Sequence, residues 1–340
     1  MNLKRTHIFD TPPTVIASAA VGGKMEADGP MGKYFDKINE DPYLSTDSFE
    51  KGESKLQKEA MLHMMDKAEL CGDDIDIVFG GDLLNQCAGT TYGVRELGIP
   101  FMGVYGACST MSESLLLAAA FVRAGYAEKA AAVTSSHFCS AERQYRYPLN
   151  YGGQRPPTSQ WTATASGALC VSAESKAPYV RGFTVGMIVD AGITDANNMG
   201  AAMAPAAWET VHSFLTDTGL SPDDFDMILT GDLGKVGSRL VCELAERDGY
   251  DIRTVHRDCG TMLYDFDTQD VHAGGSGCGC SAGVLCGYIL PRIRSGEYKN
   301  ILFAATGALM SPTTNQQGES IPSISHAVWL SHDLNTQPTI

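Results

Sequence analysis

A chain of 340 residues is long enough for one large domain or two halves of ordinary size, and 44% hydrophobic residues, 19% charged residues and 36 glycines exclude disorder in favour of a turn-rich α/β protein. The formal net charge of -15 excludes nucleic acid as an expected partner, because phosphate binding needs a basic surface. Ten cysteines without a CxxC pair argue against a metal site or a disulfide framework, and a reducing compartment is the simplest setting for them.

Lys4 and Arg5 are followed by Asp10, Pro12 and Pro13, so no signal-peptide core is expected, and no apolar run approaches transmembrane length. Val15 to Val21 reads as a first strand that ends at Gly22-Gly23, and Asp28-Gly29-Pro30 and Asp41-Pro42 mark an exposed loop. Leu56, Ala60, Met61, Met64 and Met65 recur at helical spacing, which predicts a helix from Glu53 to Leu70 with one buried face. Ile75 to Phe79 reads as a strand running into Gly80-Gly81-Asp82-Leu83-Leu84-Asn85-Gln86, at the strand end where ligands bind in open α/β sheets.

Phe101 to Tyr105 is short and β-favouring, Met111 to Val122 favours helix, and Gly106-Ala107-Cys108-Ser109-Thr110 joins them. Helix amides and dipole at that junction would lower the Cys108 thiol pKa or hold an anion; a buried structural cysteine fits the local pattern equally well. Lys129 to Thr134 predicts a strand entering Ser135-Ser136-His137. Ala141 to Gln160, rich in Arg, Tyr, Pro and Gly, reads as a long ordered loop of functional or interface character. Strands are expected over Gly167 to Ser172 and Arg181 to Val189.

The order of elements then repeats. Asp226-Met227-Ile228-Leu229-Thr230-Gly231-Asp232-Leu233 restates Asp76-Ile77-Val78-Phe79-Gly80-Gly81-Asp82-Leu83, and Gly274 to Ser281 takes the place of the Cys108 turn. Ile301 to Ala305 mirrors the strand from Ala131 to Ser136. Duplication of one sheet-and-helix pattern explains this economically. The expected division is 1–180, carrying the Cys108 turn, and 181–340, carrying the Gly-rich turn 274–281.

A duplicated α/β chain with a cysteine opening the buried helix of its first half resembles the thiolase-like fold, and within it the ketoacyl synthase III branch. Gly106-Ala107-Cys108-Ser109-Thr110, Thr134-Ser135-Ser136-His137, Ala141-Glu142-Arg143-Gln144, Tyr151-Gly152-Gly153-Gln154, Gly192-Ile193-Thr194-Asp195, Ala202-Met203-Ala204-Pro205 and Gly274-Gly275-Ser276-Gly277-Cys278, with the Asp82 turn, resemble the stage V sporulation protein AD family over almost the whole chain. That resemblance implies duplicated half-domains in a layered α/β/α/β/α structure. It implies a ligand-binding subunit of the spore channel assembly that takes up dipicolinic acid, alone or as the calcium complex, at the inner membrane. Other membrane subunits of that channel and a second copy of the chain are the implied protein partners, with no cofactor beyond calcium carried by the ligand.

Condensing enzymes of this fold pair the cysteine with a His and an Asn, or two His, from the second half. At those places this chain has Gly231-Asp232 and Gly275-Ser276-Gly277, so a non-catalytic binding role is expected. An acyltransferase using Cys108 and a purely structural adaptor are the alternatives. His272 and His326 are candidates for a replacement histidine. A flat aromatic dianion would be met by Cys108 and the amides of Ser109 and Thr110, with Ser136, His137, Gly277 and Cys278 around them. Asn85, Arg143 and Arg146 supply polar and cationic groups, Arg155 being a further cation. Asp82 and Asp232, related by the duplication, would approach one pocket from both halves and attract calcium, unless each caps its own turn.

Overall fold

The computed structural model describes residues 5–145 and 154–339. The first half runs β1 (Thr6–Ile8), β2 (Thr14–Gly23), α1 (Lys24–Ala27), β3 (Lys37–Asn39), α2 (Phe49–Ala68), β4 (Ile77–Gly81), α3 (Ala88–Val94), β5 (Phe101–Gly103), α4 (Thr110–Arg123), β6 (Lys129–Ser136), α5 (Phe138–Tyr145), β7 (Trp161–Thr162) and β8 (Ala165–Ser172). The second runs β9 (Tyr179–Thr184), α6 (Met199–Thr218), β10 (Met227–Thr230), α7 (Gly234–Arg247), β11 (His256–Asp258), α8 (Cys259–Met262), β12 (Gly275–Ser276), α9 (Cys278–Val284), α10 (Leu290–Ser295), β13 (Asn300–Ala308), α11 (Pro312–Gln316) and β14 (Ser323–Ser331). A π turn over Leu285–Ile289 joins α9 to α10.

The large sheet has the order β11-β10-β13-β14-β9-β2-β8-β6-β4-β5, with β1 on β9 and β3 on β2. Read inward from either edge, the same pattern appears. β4 is parallel to β5 and β6, and β8 is antiparallel to β6 and to β2. Likewise β10 is parallel to β11 and β13, and β14 is antiparallel to β13 and to β9. The two sequences join at Thr14↔Tyr179. Residue 180, where the sequence was divided, lies inside β9.

Three layers of helices enclose the two sets of strands. α2 packs on β2, β6 and β8, and α6 packs on β9, β13 and β14. Between them α4 touches β4 and β6 on one side and β13 and β14 on the other, and all seven residues of α9 are buried. Each interlayer has its own apolar core. Leu56, Met61 and Met64 fill the first, Met111, Leu115, Leu169 and Phe303 the middle, and Met203, Phe214 and Trp329 the third. Close backbone approach holds the middle layer. A Cβ on Gly307 would stand 1.9 Å from the Gly106 carbonyl, so β13 touches the turn that carries Cys108 only because residue 307 has no side chain.

Most expected elements are present with shifted ends. The predicted helix 53–70 starts four residues earlier, because the Ser48 side chain accepts from the Lys51 amide at 3.3 Å and caps it. The strand expected to reach Val189 stops at Thr184. One correction bears on the site. Helix α3 follows the Asp82 turn, as the repeated order of strand, turn and helical run requires, but Ala141 to Tyr145, read as the start of a loop, completes helix α5. Of the remainder of that stretch, 146–153 lies outside the described residues.

Candidate functional site

Cys108 lies in a single 3-10 turn, Ala107–Ser109, that leads into α4. It faces a cleft of about 60 Å³ between the halves. One wall is Leu83, Ala107 and three residues of α5, namely Ala141, Glu142 and Tyr145. The other is built by Ala196, Met199 and Met203 at the start of α6 with Ala308 and Met310 at the end of β13, while Thr162 and Ser276 close the floor. The methionines and Tyr145 were not singled out by pattern. Their one signal was the Ala202-Met203-Ala204-Pro205 motif and the Tyr-rich run near residue 145.

Asp232 is fully buried beside the thiol. Its Oδ2 accepts from the Gly277 amide at 2.7 Å and from Ser276 Oγ at 3.3 Å, whereas Oδ1 has no donor in hydrogen-bonding position. Burial pushes this carboxyl up to about 7, against an ordinary value of 3.8. The thiol responds in turn. Burial first, and the neighbouring Asp232 and Cys278 next, raise the Cys108 pKa well above its ordinary value. Of the readings the sequence left open, this speaks against a helix-activated thiolate and for a buried cysteine. The helix amides do not compensate, because the Ser109 amide is spent on the Gly106 carbonyl at 3.0 Å.

Asp82 does not share the pocket. Its Oδ1 accepts from the Leu84 amide at 2.8 Å and its Oδ2 from the Thr90 amide and hydroxyl at 2.7 and 2.6 Å, so it caps its own turn and the start of α3. The paired-carboxylate calcium site is thereby corrected. Its nearest acidic companion is Glu53, also buried, which accepts from Ser135 Oγ at 3.0 Å and Ser140 Oγ at 2.6 Å. Burial raises both carboxyls, and the Asp82 charge raises Glu53 further.

Several other expected contacts serve the framework. Ser109 Oγ donates to the Gly106 carbonyl and Ser136 Oγ to the Ala163 carbonyl, at 2.7 and 2.6 Å. His137 Nδ1 accepts from the Cys139 amide at 3.2 Å, which leaves Nε2 to donate to the Pro42 carbonyl at 2.7 Å. Burial holds this ring below its ordinary pKa, and it is absent from the cleft. Cys278 is buried against the Cys108 turn, and its thiol donates to the Ser135 carbonyl at 2.9 Å. Gly277 adopts φ +95°, which lets its amide reach Asp232.

The cations are elsewhere. Arg143 sits on the opposite face of α5, paired with Glu50 at 3.1 Å over the Phe49 ring. Asn85 is exposed in the same outer depression. Arg155 is paired with Asp270 at 2.9 Å, and Arg146 lies outside the described residues. Neither candidate replacement histidine reaches the thiol: His272 pairs with Asp270, and His326 accepts from the Gly186 amide at 3.2 Å. Among the described residues the structure therefore brings together Cys108, Asp232 and the Gly277 amide, with Cys278 behind them.

Comparison with known proteins agrees with this architecture. The family model described as stage V sporulation protein AD matches residues 3–331. A Bacillus subtilis (strain 168) protein named stage V sporulation protein AD is 45% identical over 325 residues, covering 96% of each chain. Among solved structures, 3-oxoacyl-[acyl-carrier-protein] synthase III of Aquifex aeolicus VF5 aligns with a TM-score of 0.57 at 13% identity, covering 94% of this chain and 99% of that one. The tetronic acid condensing enzyme AbyA1 gives 0.61 at 14%, with the same coverage. An OleA variant of Xanthomonas campestris gives 0.60 at 12%, covering 96% and 99%. At these identities the likeness establishes a thiolase-like fold.

Proposed function

The chain belongs to the stage V sporulation protein AD family, and on that premise we propose that it is a sporulation protein whose Cys108 cleft binds dipicolinic acid, or its calcium complex, without catalysis. The observation that carries this reading is the electrostatics at the thiol. A nucleophilic cysteine needs a lowered pKa, and here burial and the Asp232 carboxyl push the thiol the other way. No histidine of the described residues lines the cleft.

The shape supports a small flat ligand only with movement of its walls, since about 60 Å³ is well below the roughly 300 Å³ or more of typical ligand pockets. Charge narrows the form of the ligand. The described lining supplies Glu142, with Asp232 buried behind Cys108, and no cation, so a dianion requires calcium brought with it, or the Arg146 named from the sequence. The assembly with membrane subunits of the spore channel, and a homodimer through edge strand β5, belong to the same proposal. No helix of the described residues is long and apolar enough to cross a membrane, which suits a subunit held there by others. β5 presents exposed Met102, and Tyr105 follows it, also exposed.

Thermal unfolding with dipicolinate, with and without calcium, beside acetyl-CoA and malonyl-CoA tests the reading. Ligand at a hundred times its dissociation constant should stabilise the fold by about 2.7 kcal/mol. That shift should vanish in Cys108→Trp, which fills the cleft, and in Arg146→Ala only when calcium is absent. A shift with the acyl-CoA compounds alone, together with acylation of Cys108, would establish the second reading, an acyltransferase, which the condensing-enzyme fold favours. Binding to channel subunits with no small-molecule response would leave the adaptor.

A further inference from the structure

The outer face of the first half carries a groove of about 730 Å³ between α2 and α3, continuous through Glu50 and Ala88 with a depression of about 250 Å³ under α5. Its acids are all spent. Glu50 is paired with Arg143, Glu59 with Lys37 and Asn39, and Glu96 with Lys58. Two of its cations have no such partner. Lys55 donates only to the Leu44 carbonyl at 2.9 Å, with Asp41 sensing its field from beyond ion-pair distance, and the Arg95 guanidinium lies 4.7 Å over the Tyr92 ring. A spare donor stands at the other end, because Gln144 Nε2 is buried without an acceptor. Apolar surface lies between these groups, with Tyr92 58% and Leu62 40% exposed.

We propose that this groove docks an acidic, apolar-bearing segment of a partner protein, its carboxylates meeting Lys55 and Arg95 and its apolar side chains resting on Tyr92 and Leu62. The argument is charge complementarity. In a chain of net charge -15, a groove whose own acids are neutralised while Lys55 and Arg95 stay unpaired is complementary in charge to an acidic segment. Position adds a consequence. Ser140, Arg143 and Gln144 of α5 line the adjoining depression, and Arg143 pairs with Glu50 of the groove, whereas Ala141, Glu142 and Tyr145 face the Cys108 cleft, so α5 stands between the depression and the cleft. Whatever displaces α5 from one side is felt on the other, and by linkage the effect is reciprocal.

The test is fluorescence anisotropy of the full chain with a labelled peptide of repeating Glu-Glu-Leu triplets, beside its Gln-Gln-Leu counterpart. The acidic peptide should bind and weaken with salt, the Gln peptide should not, and Lys55→Glu/Arg95→Glu should lower affinity by roughly tenfold or more. Lys176→Glu/Lys299→Glu, exposed and outside the groove, should leave affinity unchanged. Should the first pair fail to fold, Lys55→Gln/Arg95→Gln carries the same prediction with a smaller loss. Equal loss in both pairs, or none in either, overturns the proposal. So does a change of oligomeric state in sedimentation of the peptide-free groove variant, which would make this a contact between copies of the chain.

Discussion

Asp82 and Asp232 occupy equivalent places in the duplicated turns Gly81-Asp82-Leu83 and Gly231-Asp232-Leu233, yet they do different work. Asp82 spends both oxygens on its own turn and on Thr90 at the start of α3. In the second half α7 begins immediately after Leu233, and its first amides are taken by Asp258 of the neighbouring strand, at 2.8 Å to Leu233 and 3.0 Å to Gly234. Capping has thus passed from the turn's own aspartate to one on β11. Asp232 is left with an oxygen free to face Cys108. A duplicated residue acquires a new role when a neighbour takes over its structural one.

The largest expected effect breaks this contrast at Asp82. Asp82→Ala leaves the Leu84 and Thr90 amides buried without an acceptor and should cost about 3 kcal/mol or more in urea unfolding. Asp232→Asn keeps an acceptor for Gly277 and relieves a buried charge, so stability should change by less than about 1 kcal/mol. Equal losses in the two variants would show that Asp232 also caps its turn. Gly277→Ala comes next: at φ +95° with the new Cβ 2.6 Å from Ser136 Oγ, it should destabilise by about 2 kcal/mol and displace the amide from Asp232.

The pH dependence sharpens the same comparison. Asp232 and Glu26, both buried, are raised to about 7 from ordinary values of 3.8 and 4.5. The folded state therefore holds protons that the unfolded chain has lost, and stability falls as pH rises through the folded pKa. Burial lowers His256 and His326 to about 4, which acts in the opposite direction, but only between about 4 and 6.5. From pH 6.5 to 8 the carboxyls dominate, so the melting temperature should fall, each carboxyl contributing about 0.8 kcal/mol across that interval, with the slope fading above pH 7. Asp232→Asn should flatten part of that slope and Asp82→Asn less. The smallest effect is chemical. Removing the Asp232 charge lowers the Cys108 pKa, so alkylation by iodoacetamide at pH 8 should quicken by up to about tenfold, whereas an unchanged rate would mean that burial alone controls the thiol.

The repeat, the Cys108 junction and most strands were legible because buried strands and a helix with periodic Met and Leu leave local traces. Partnership was not. The shared Gly-Asp-Leu of the two turns does not distinguish Asp82 from Asp232, since the difference arises from Asp258, 26 residues after Asp232. Arg143 and Glu142 are adjacent in sequence and were read as one loop, but helix α5 sends them to opposite faces. The state of the thiol stayed open in the sequence for a similar reason: a helix N-terminus is visible locally, whereas the Asp232 carboxyl that opposes it comes from the other half.

Because β2, β8, β6, β4 and β5 are all drawn from residues 14–172, the first set of strands can pair while the rest of the chain is still on the ribosome. At ordinary elongation rates of about 5–20 residues per second, the second set follows over roughly ten seconds or more. Throughout that interval α4, which carries Met111 and Leu115 of the middle core, has no β13 or β14 to pack against. The nascent chain thus passes through an obligatory window of aggregation risk, and demand for a chaperone should be greatest when synthesis stalls shortly after residue 172.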